Sequence, residues 1–249
     1  DGTELQSGAW DYGTTPSYSG ETPTKAATAE YTYTFKDWTP EIVAVTGEAT
    51  YTATYTETVN KYTVKFVNED GSELQSSEVA YGETPVYAGE TPTKAADAQY
   101  TYTFAGWTPE IVAVTGDATY TAQYSSTVNK YTVTFVDHDG TVLHSEDVEY
   151  GSAATAPADP TREGYTFTGW DKAFDNITGA LTVTALYKIN TYTVTFLDKD
   201  GKQIGALQTV NHGSAATAPE SPVVEGYTFD KWDAEFDNIT ANTTVKAVY

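Results

Sequence analysis

The sequence predicts a mostly β protein assembled as a tandem array of small domains. Three observations predict it: an internal period, stretches in which Tyr, Val or Phe alternate with Thr, and an Asp-Gly turn opening each period. The column Asp1-Gly2, Asp70-Gly71, Asp139-Gly140, Asp200-Gly201 gives offsets of 69, 69 and 61 residues. Four repeats follow, at 1–60, 61–129, 130–190 and 191–249, and the first lacks the opening strand that the other three carry. Each is expected to be a small mixed or antiparallel sheet with at most one short helical turn.

The third repeat shows the plan. Tyr131, Val133 and Phe135 alternate with Thr132, Thr134 and Val136, the period of a strand with one buried face. Asp137–Gly140 supplies a tight turn that tolerates positive φ, and Val142-Leu143 begins the returning strand. After Gly151 the stretch SAATAPADPTREG has no helical apolar period and reads as an extended crossover. Tyr165, Phe167 and Trp170 form a third strand; Val183, Ala185 and Tyr187 form a fourth. Between them Phe174 and Ile177, three apart, suit one helical turn. The same columns place Trp38, Trp107, Trp170 and Trp232, together with Tyr131, Val133, Phe135, Tyr192, Val194 and Phe196, in the structural cores. Rows such as Tyr120, Ala122, Tyr124 read as one inward face.

The repeats fall into two subtypes. Repeats 1 and 2 share GETPTKAA at 20–27 and 89–96 and WTPEIVAVTG at 38–47 and 107–116, identity beyond what a fold dictates, so recent duplication is its source. Repeats 3 and 4 share GSAATAP, EGYTF and FDNIT. Only six residues separate Tyr55 from Tyr62 and Tyr124 from Tyr131, and four separate Tyr187 from Tyr192. Such joints leave few free dihedrals, so an elongated, semi-rigid rod is expected. Four domains of this size placed end to end reach about 110 Å.

Composition excludes several functions. A formal charge of -22, from 35 acidic groups against 13 Lys and Arg, opposes nucleic acid and anionic membrane surfaces. The chain has no Cys and no Met, hence no disulfide, thiolate metal site or thiol nucleophile. No apolar run approaches the roughly 20 residues that span a bilayer, so no membrane insertion is expected. With no signal peptide or wall-sorting tail, the start at Asp1-Gly2 reads as a fragment cut from a longer protein.

Candidate sites are sparse. The DHDG and DKDG turns hold too few alternating acidic positions for a calcium loop and read as hairpin turns. His138, His144 and His212 stand in no catalytic spacing, and repeats 1 and 2 have none, so they read as surface histidines. Lys61 and Lys130 precede first strands, but Thr191 holds that place in repeat 4, which disfavours a recurring isopeptide bond. The Asn176, Asn238 and Asn242 sequons matter only in a glycosylating host. No catalytic, cofactor or metal residue is assigned. Trp10 stands in the column of Val79, Val148 and Val210, within the repeat that lacks its first strand. An incomplete sheet is expected there, with Trp10 on its inner face and an open edge that invites strand pairing with another chain.

The string YTVTFVDHDG, YGSAATAP, EGYTFTGWD, FDNIT, TVTALY across 131–187 closely resembles the Listeria/Bacteroides repeat, the B-repeat of internalins. Repeat 4 matches as well; repeats 1 and 2 look like a longer cousin. The resemblance implies a small β-grasp (ubiquitin-like) fold and extracellular display on a Gram-positive cell surface. It also implies a place in tandem between a recognition domain and the cell-wall anchor of the parent protein. The expected function is a non-enzymatic stalk or spacer in adhesion; the alternative is that the repeats themselves bind a host protein or glycan.

Overall fold

The computed structural model describes residues 2–249; Asp1, first of the Asp-Gly column, lies outside the described residues. Among the described residues fourteen strands form four sheets and there is no helix. β1 (Tyr31–Thr39) and β2 (Thr52–Val59) make a two-stranded sheet. β3 (Lys61–Val67), β4 (Glu73–Ala80), β5 (Tyr100–Thr108) and β6 (Ala118–Val128) form a sheet of order β4-β3-β6-β5. β7 (Lys130–Val136), β8 (Val142–Glu149), β9 (Tyr165–Trp170) and β10 (Leu181–Ile189) repeat that order, as do β11 (Thr191–Leu197), β12 (Gln203–Asn211), β13 (Lys231–Trp232) and β14 (Thr243–Val248).

Each four-stranded sheet is mixed. Its opening hairpin is antiparallel, and its first and last strands pair in parallel at the centre: Val64 opposite Ala118, Val133 opposite Leu181, Val194 opposite Thr243. Alternation then sends every second residue of these two strands to one face. Phe66, Phe135 and Phe196 are essentially buried, joined by Val64 and Tyr120, Val133 and Val183, or Val194 and Val245. Three separate cores result. Burying one such Phe contributes roughly 1.5–3 kcal/mol, a large share for so small a core. Among the described residues of 2–60, no large hydrophobic side chain is fully buried.

Simple alternation fails at the tryptophans, and a bulge explains how. With Tyr165 and Phe167 inward, Gly169 would come next; instead Leu186 pairs Gly169 and Tyr187 pairs Phe167, so Thr168 is the extra residue. The bulge puts Phe167 and Trp170 on the same face, with ring centroids 5.3 Å apart, and brings Trp170 to 5.0 Å from Phe135. The same Phe-x-x-Trp contact recurs as Phe35–Trp38, Phe104–Trp107 and Phe229–Trp232. Gly169 and Gly106 both sit at φ 132°, a conformation L side chains rarely adopt.

Phe174–Thr178 forms no helical turn. Its backbone is committed to the crossover: Ala154 N–H donates to Phe174 O, Ile177 N–H to Ser152 O and Gly151 N–H to Ile177 O. Those bonds carry Ile177 to 2% exposure beneath the sheet. The chain divides into two compact units, Asp1–Ala95 with Tyr102–Thr127, and Ala96–Thr101 with Val128–Tyr249.

Gly169→Ala meets no steric neighbour, so its cost is the backbone alone. It should weaken β9 by about 1–2 kcal/mol, read as faster amide exchange across Tyr165–Trp170 with repeat 4 unchanged.

Candidate functional site

Among the described residues the recurring polar constructions are the joints between sheets and the turns that close the repeats. One residue separates β2 from β3, β6 from β7 and β10 from β11, and each time it is asparagine: Asn60, Asn129, Asn190. The joints are thus shorter than tyrosine spacing alone implies.

At the first joint Asn60 uses every polar group it has. Its N–H donates to Glu30 O at 2.8 Å and its carbonyl accepts from Tyr81 N–H at 2.9 Å. Its side-chain amide donates to Thr28 O and Ala29 O, while Oδ1 accepts from the Thr32 hydroxyl at 2.6 Å. Tyr62 adds a hydroxyl bond to Ala29 O at 2.6 Å. One residue is therefore bonded to the sheet before it and to the hairpin after it, which removes the torsional freedom a linker needs. Asn129 repeats the set with Asp97, Ala98, Gln99, Thr101 and Tyr150, and Tyr131 donates to Ala98 O. These bonds explain why Ala96–Thr101 groups with the second compact unit.

Asn190 keeps the backbone pair, to Gly164 O and from His212 N–H, and the threonine bond, from Thr166. The rest is packing: a Cβ at Gly164, φ 74°, would overlap the His212 ring, which also lies 5.9 Å from the Tyr192 ring. His212 is half-buried, not the surface histidine that its spacing suggests. His144 is half-buried as well, 6.2 Å from Phe135; His138 is exposed.

Two of the closing tyrosines, Tyr124 and Tyr187, reach back to the hairpin turns. Tyr124 donates to Asn68 Oδ1 at 2.6 Å, and Tyr187 to Asp137 Oδ1 at 2.7 Å. Asp137 Oδ1 also accepts from the His138 backbone, so its carboxyl titrates below the ordinary value, held down first by the Tyr187 hydroxyl. Burial, then the Asp137 carboxylate, pushes Tyr187 up to about 12. Asp137, His138 and Asp139 are the one metal-like trio among the described residues, but Asp139 is engaged by Thr141 N–H and the trio is mostly exposed. It is a braced turn.

The predicted core residues lie as follows. Val133, Phe135, Val194 and Phe196 are buried, and Tyr131, Tyr192, Trp170 and Trp232 are half-buried against them. Trp107 packs on Phe66, Tyr87 and Phe104, whereas Trp38 packs on Tyr18 and Phe35. Trp10 is 40% exposed, its ring folded over Gly8. Four tyrosines outside the cores carry cations on their faces: Lys25 over Tyr33 at 3.5 Å, Lys94 over Tyr102 at 4.1 Å, Arg162 over Tyr165 at 3.8 Å and Lys199 over Tyr227 at 5.2 Å. Sequence reasoning missed the asparagines, although Asn-x-Tyr recurs at all three joints.

Residues 131–190 and 192–248 each match the family model described as the Listeria-Bacteroides repeat domain. A protein named as a Gly-rich membrane protein of Evansella cellulosilytica is 27% identical over 217 residues, 76% of this chain and 24% of that protein. Internalin H of Listeria monocytogenes is 38% identical over 128 residues, 45% of this chain and 22% of that protein. The chain thus spans about a quarter or less of these relatives. Among solved structures, Streptococcal High Identity Repeats in Tandem (SHIRT) domains 3-4 from a cell surface protein align with TM-score 0.26 at 19% identity, covering 53% of this chain and 99% of that one. Mub-RV aligns with TM-score 0.16 at 17% identity, covering 48% and 98%. Among the described residues no helix is long and apolar enough to cross a membrane.

Two outcomes test these constructions. Tyr187→Phe should cost repeat 3 about 1 kcal/mol at pH 7. Because the folded Asp137 carboxyl has the lower pKa, the bond is complete above its unfolded value, near 4, and fades as acid protonates it. Denaturation at pH 7 and pH 2 should therefore show the wild-type advantage only at pH 7. Separately, spin labels at Thr182→Cys and Thr244→Cys, unambiguous in a chain without cysteine, should give a broader distance distribution once Asn190→Ala is added.

Proposed function

We propose, from the membership of residues 131–190 and 192–248 in the Listeria-Bacteroides repeat family, that this chain is an extracellular segment of a bacterial surface protein acting as a semi-rigid spacer in adhesion. The observation that carries this reading is the one-residue joint whose asparagine is bonded on both sides. Four repeats, bounded at 1–60, 61–129, 130–190 and 191–249, would be the spacer units. A parent protein anchored in a Gram-positive cell wall would supply the attachment.

Strand direction supports the same reading. Within a repeat the first and last strands run the same way, so the chain enters at one end of the sheet and leaves at the other. Each repeat advances the chain, and a one-residue joint passes that advance to the next. The parallel central pair in the order β8-β7-β10-β9 also supports a β-grasp-like description, with an extended crossover where a helix would lie. The negative charge suits dense display, since like-charged neighbours repel.

Direct binding of a glycan or host protein has less support. Large exposed aromatics are Trp10, Tyr12 and Tyr227, which do not recur at one place from repeat to repeat. Tyr227 already holds Lys199 over its face, and Tyr33, Tyr102 and Tyr165 hold cations likewise. Nor do the residues offer an enzyme a nucleophile, base and orienting group together.

Small-angle scattering at several concentrations tests the spacer. A maximum dimension of about 110 Å, independent of concentration, supports it; a compact particle overturns it.

A further inference from the structure

The joints differ in the turn that leads into the third strand of the repeat before them. At the first joint Thr28 stands three residues ahead of Tyr31, and its hydroxyl accepts the Tyr31 N–H at 3.0 Å. At the second, Asp97 stands three ahead of Tyr100, and its Oδ1 accepts the Tyr100 N–H at 2.7 Å and the Gln99 N–H at 2.8 Å. In both, a short side chain takes the amide of the turn and leaves its own backbone carbonyl for the joint. Asn60 bonds Thr28 O and Asn129 bonds Asp97 O, each at 2.8 Å.

Arg162 holds that place ahead of Tyr165, and a guanidinium accepts no hydrogen bond. The Tyr165 N–H therefore goes to Arg162 O itself, at 3.1 Å, with Gly164 turned to φ 74°. The carbonyl equivalent to those that serve Asn60 and Asn129 is spent inside its own turn. Among the described residues the Asn190 side-chain amide then has no protein acceptor, and neither does the Tyr192 hydroxyl, although Tyr62 and Tyr131 donate to Ala29 O and Ala98 O. His212 fills the space where Tyr81 and Tyr150 stand at the other joints; its ring abuts Gly164 and its Nδ1 is buried without a partner. Asn190 keeps its backbone pair and the Thr166 bond. The third joint is thus held, but the side-chain bonds that orient the other two are replaced by ring contact.

We propose that the joint between repeats 3 and 4 is a bending point, and that the residue three ahead of the tyrosine opening the third strand decides it: Thr28 and Asp97 lock a joint, and Arg162 releases one. Repeat 4 then samples a range of directions relative to repeat 3. The use of such a bend rests on the spacer reading; the difference between the joints does not.

Double electron–electron resonance on the full chain tests this with nitroxides at equivalent strand positions, Thr119→Cys with Thr182→Cys across the second joint and Thr182→Cys with Thr244→Cys across the third. The third joint should give a distance distribution at least about twice as wide as the second. Exchanging the determinants, Arg162→Asp with Gly164→Gln and His212→Tyr, should narrow the third joint to the width of the second. The reciprocal exchange, Asp97→Arg with Gln99→Gly and Tyr150→His, should widen the second. Amide protection of the parallel ladders, unchanged in a variant, separates a freed joint from a damaged repeat. Where an exchange loses that protection, the single change Asp97→Ala, which removes only the capping carboxylate, decides: it should widen the second joint. Equal widths at the two wild-type joints, or widths unmoved by these substitutions, overturn the proposal. A compact particle in scattering would overturn the spacer and leave the ratio of widths standing, so the two failures are distinguishable.

Discussion

The three four-stranded sheets depend on the parallel pairing of their first and last strands. It closes about 60 residues around one phenylalanine, and that closure is what makes each repeat a unit. Because the contact is between the most distant strands of the repeat, nothing is buried until both are present. Repeat 1 demonstrates this: it has the third and fourth strands, the Phe-x-x-Trp pair and the crossover anchors, yet no fully buried large hydrophobic side chain.

Cores this small leave little margin, and the rest of the construction compensates with polar bonding at fixed places. Closing tyrosines reach the turns, glutamines pin the crossover, and asparagines fill the joints. The tyrosine bonds are partly buried and the glutamine and asparagine bonds exposed, so together they add more to definition of geometry than to gross stability. Surface ion pairs such as Lys65–Glu73 and Lys130–Glu149 are exposed on both sides and contribute little beside them.

Much of the sheet was legible because alternation and turn chemistry are local. Tyr131, Val133 and Phe135 announce their face, and Asp139-Gly140 announces its turn. What stayed illegible is decided by partners distant in sequence. The bulge at Thr168 depends on which residue of β10 lies opposite, and without it Trp170 would face outward. Phe174 and Ile177 have helical spacing, but the crossover takes their backbone groups first. The third strand of repeat 4 shrinks to Lys231-Trp232 although EGYTF is the same as in repeat 3. For the joints, Asn60, Asn129 and Asn190 look like ordinary polar linker residues until the carbonyls around them are seen. Most of the candidate functional construction was therefore hidden, while most of the scaffold was not.

The parallel central pair has a mechanical consequence. A tension applied to the two termini of a repeat pulls its first strand toward one end and its last strand toward the other. The load then runs along the ladder between Val133–Val136 and Leu181–Thr184, so its hydrogen bonds are sheared together and cannot be peeled one at a time. A repeat built this way resists stretching far better than its modest core would suggest.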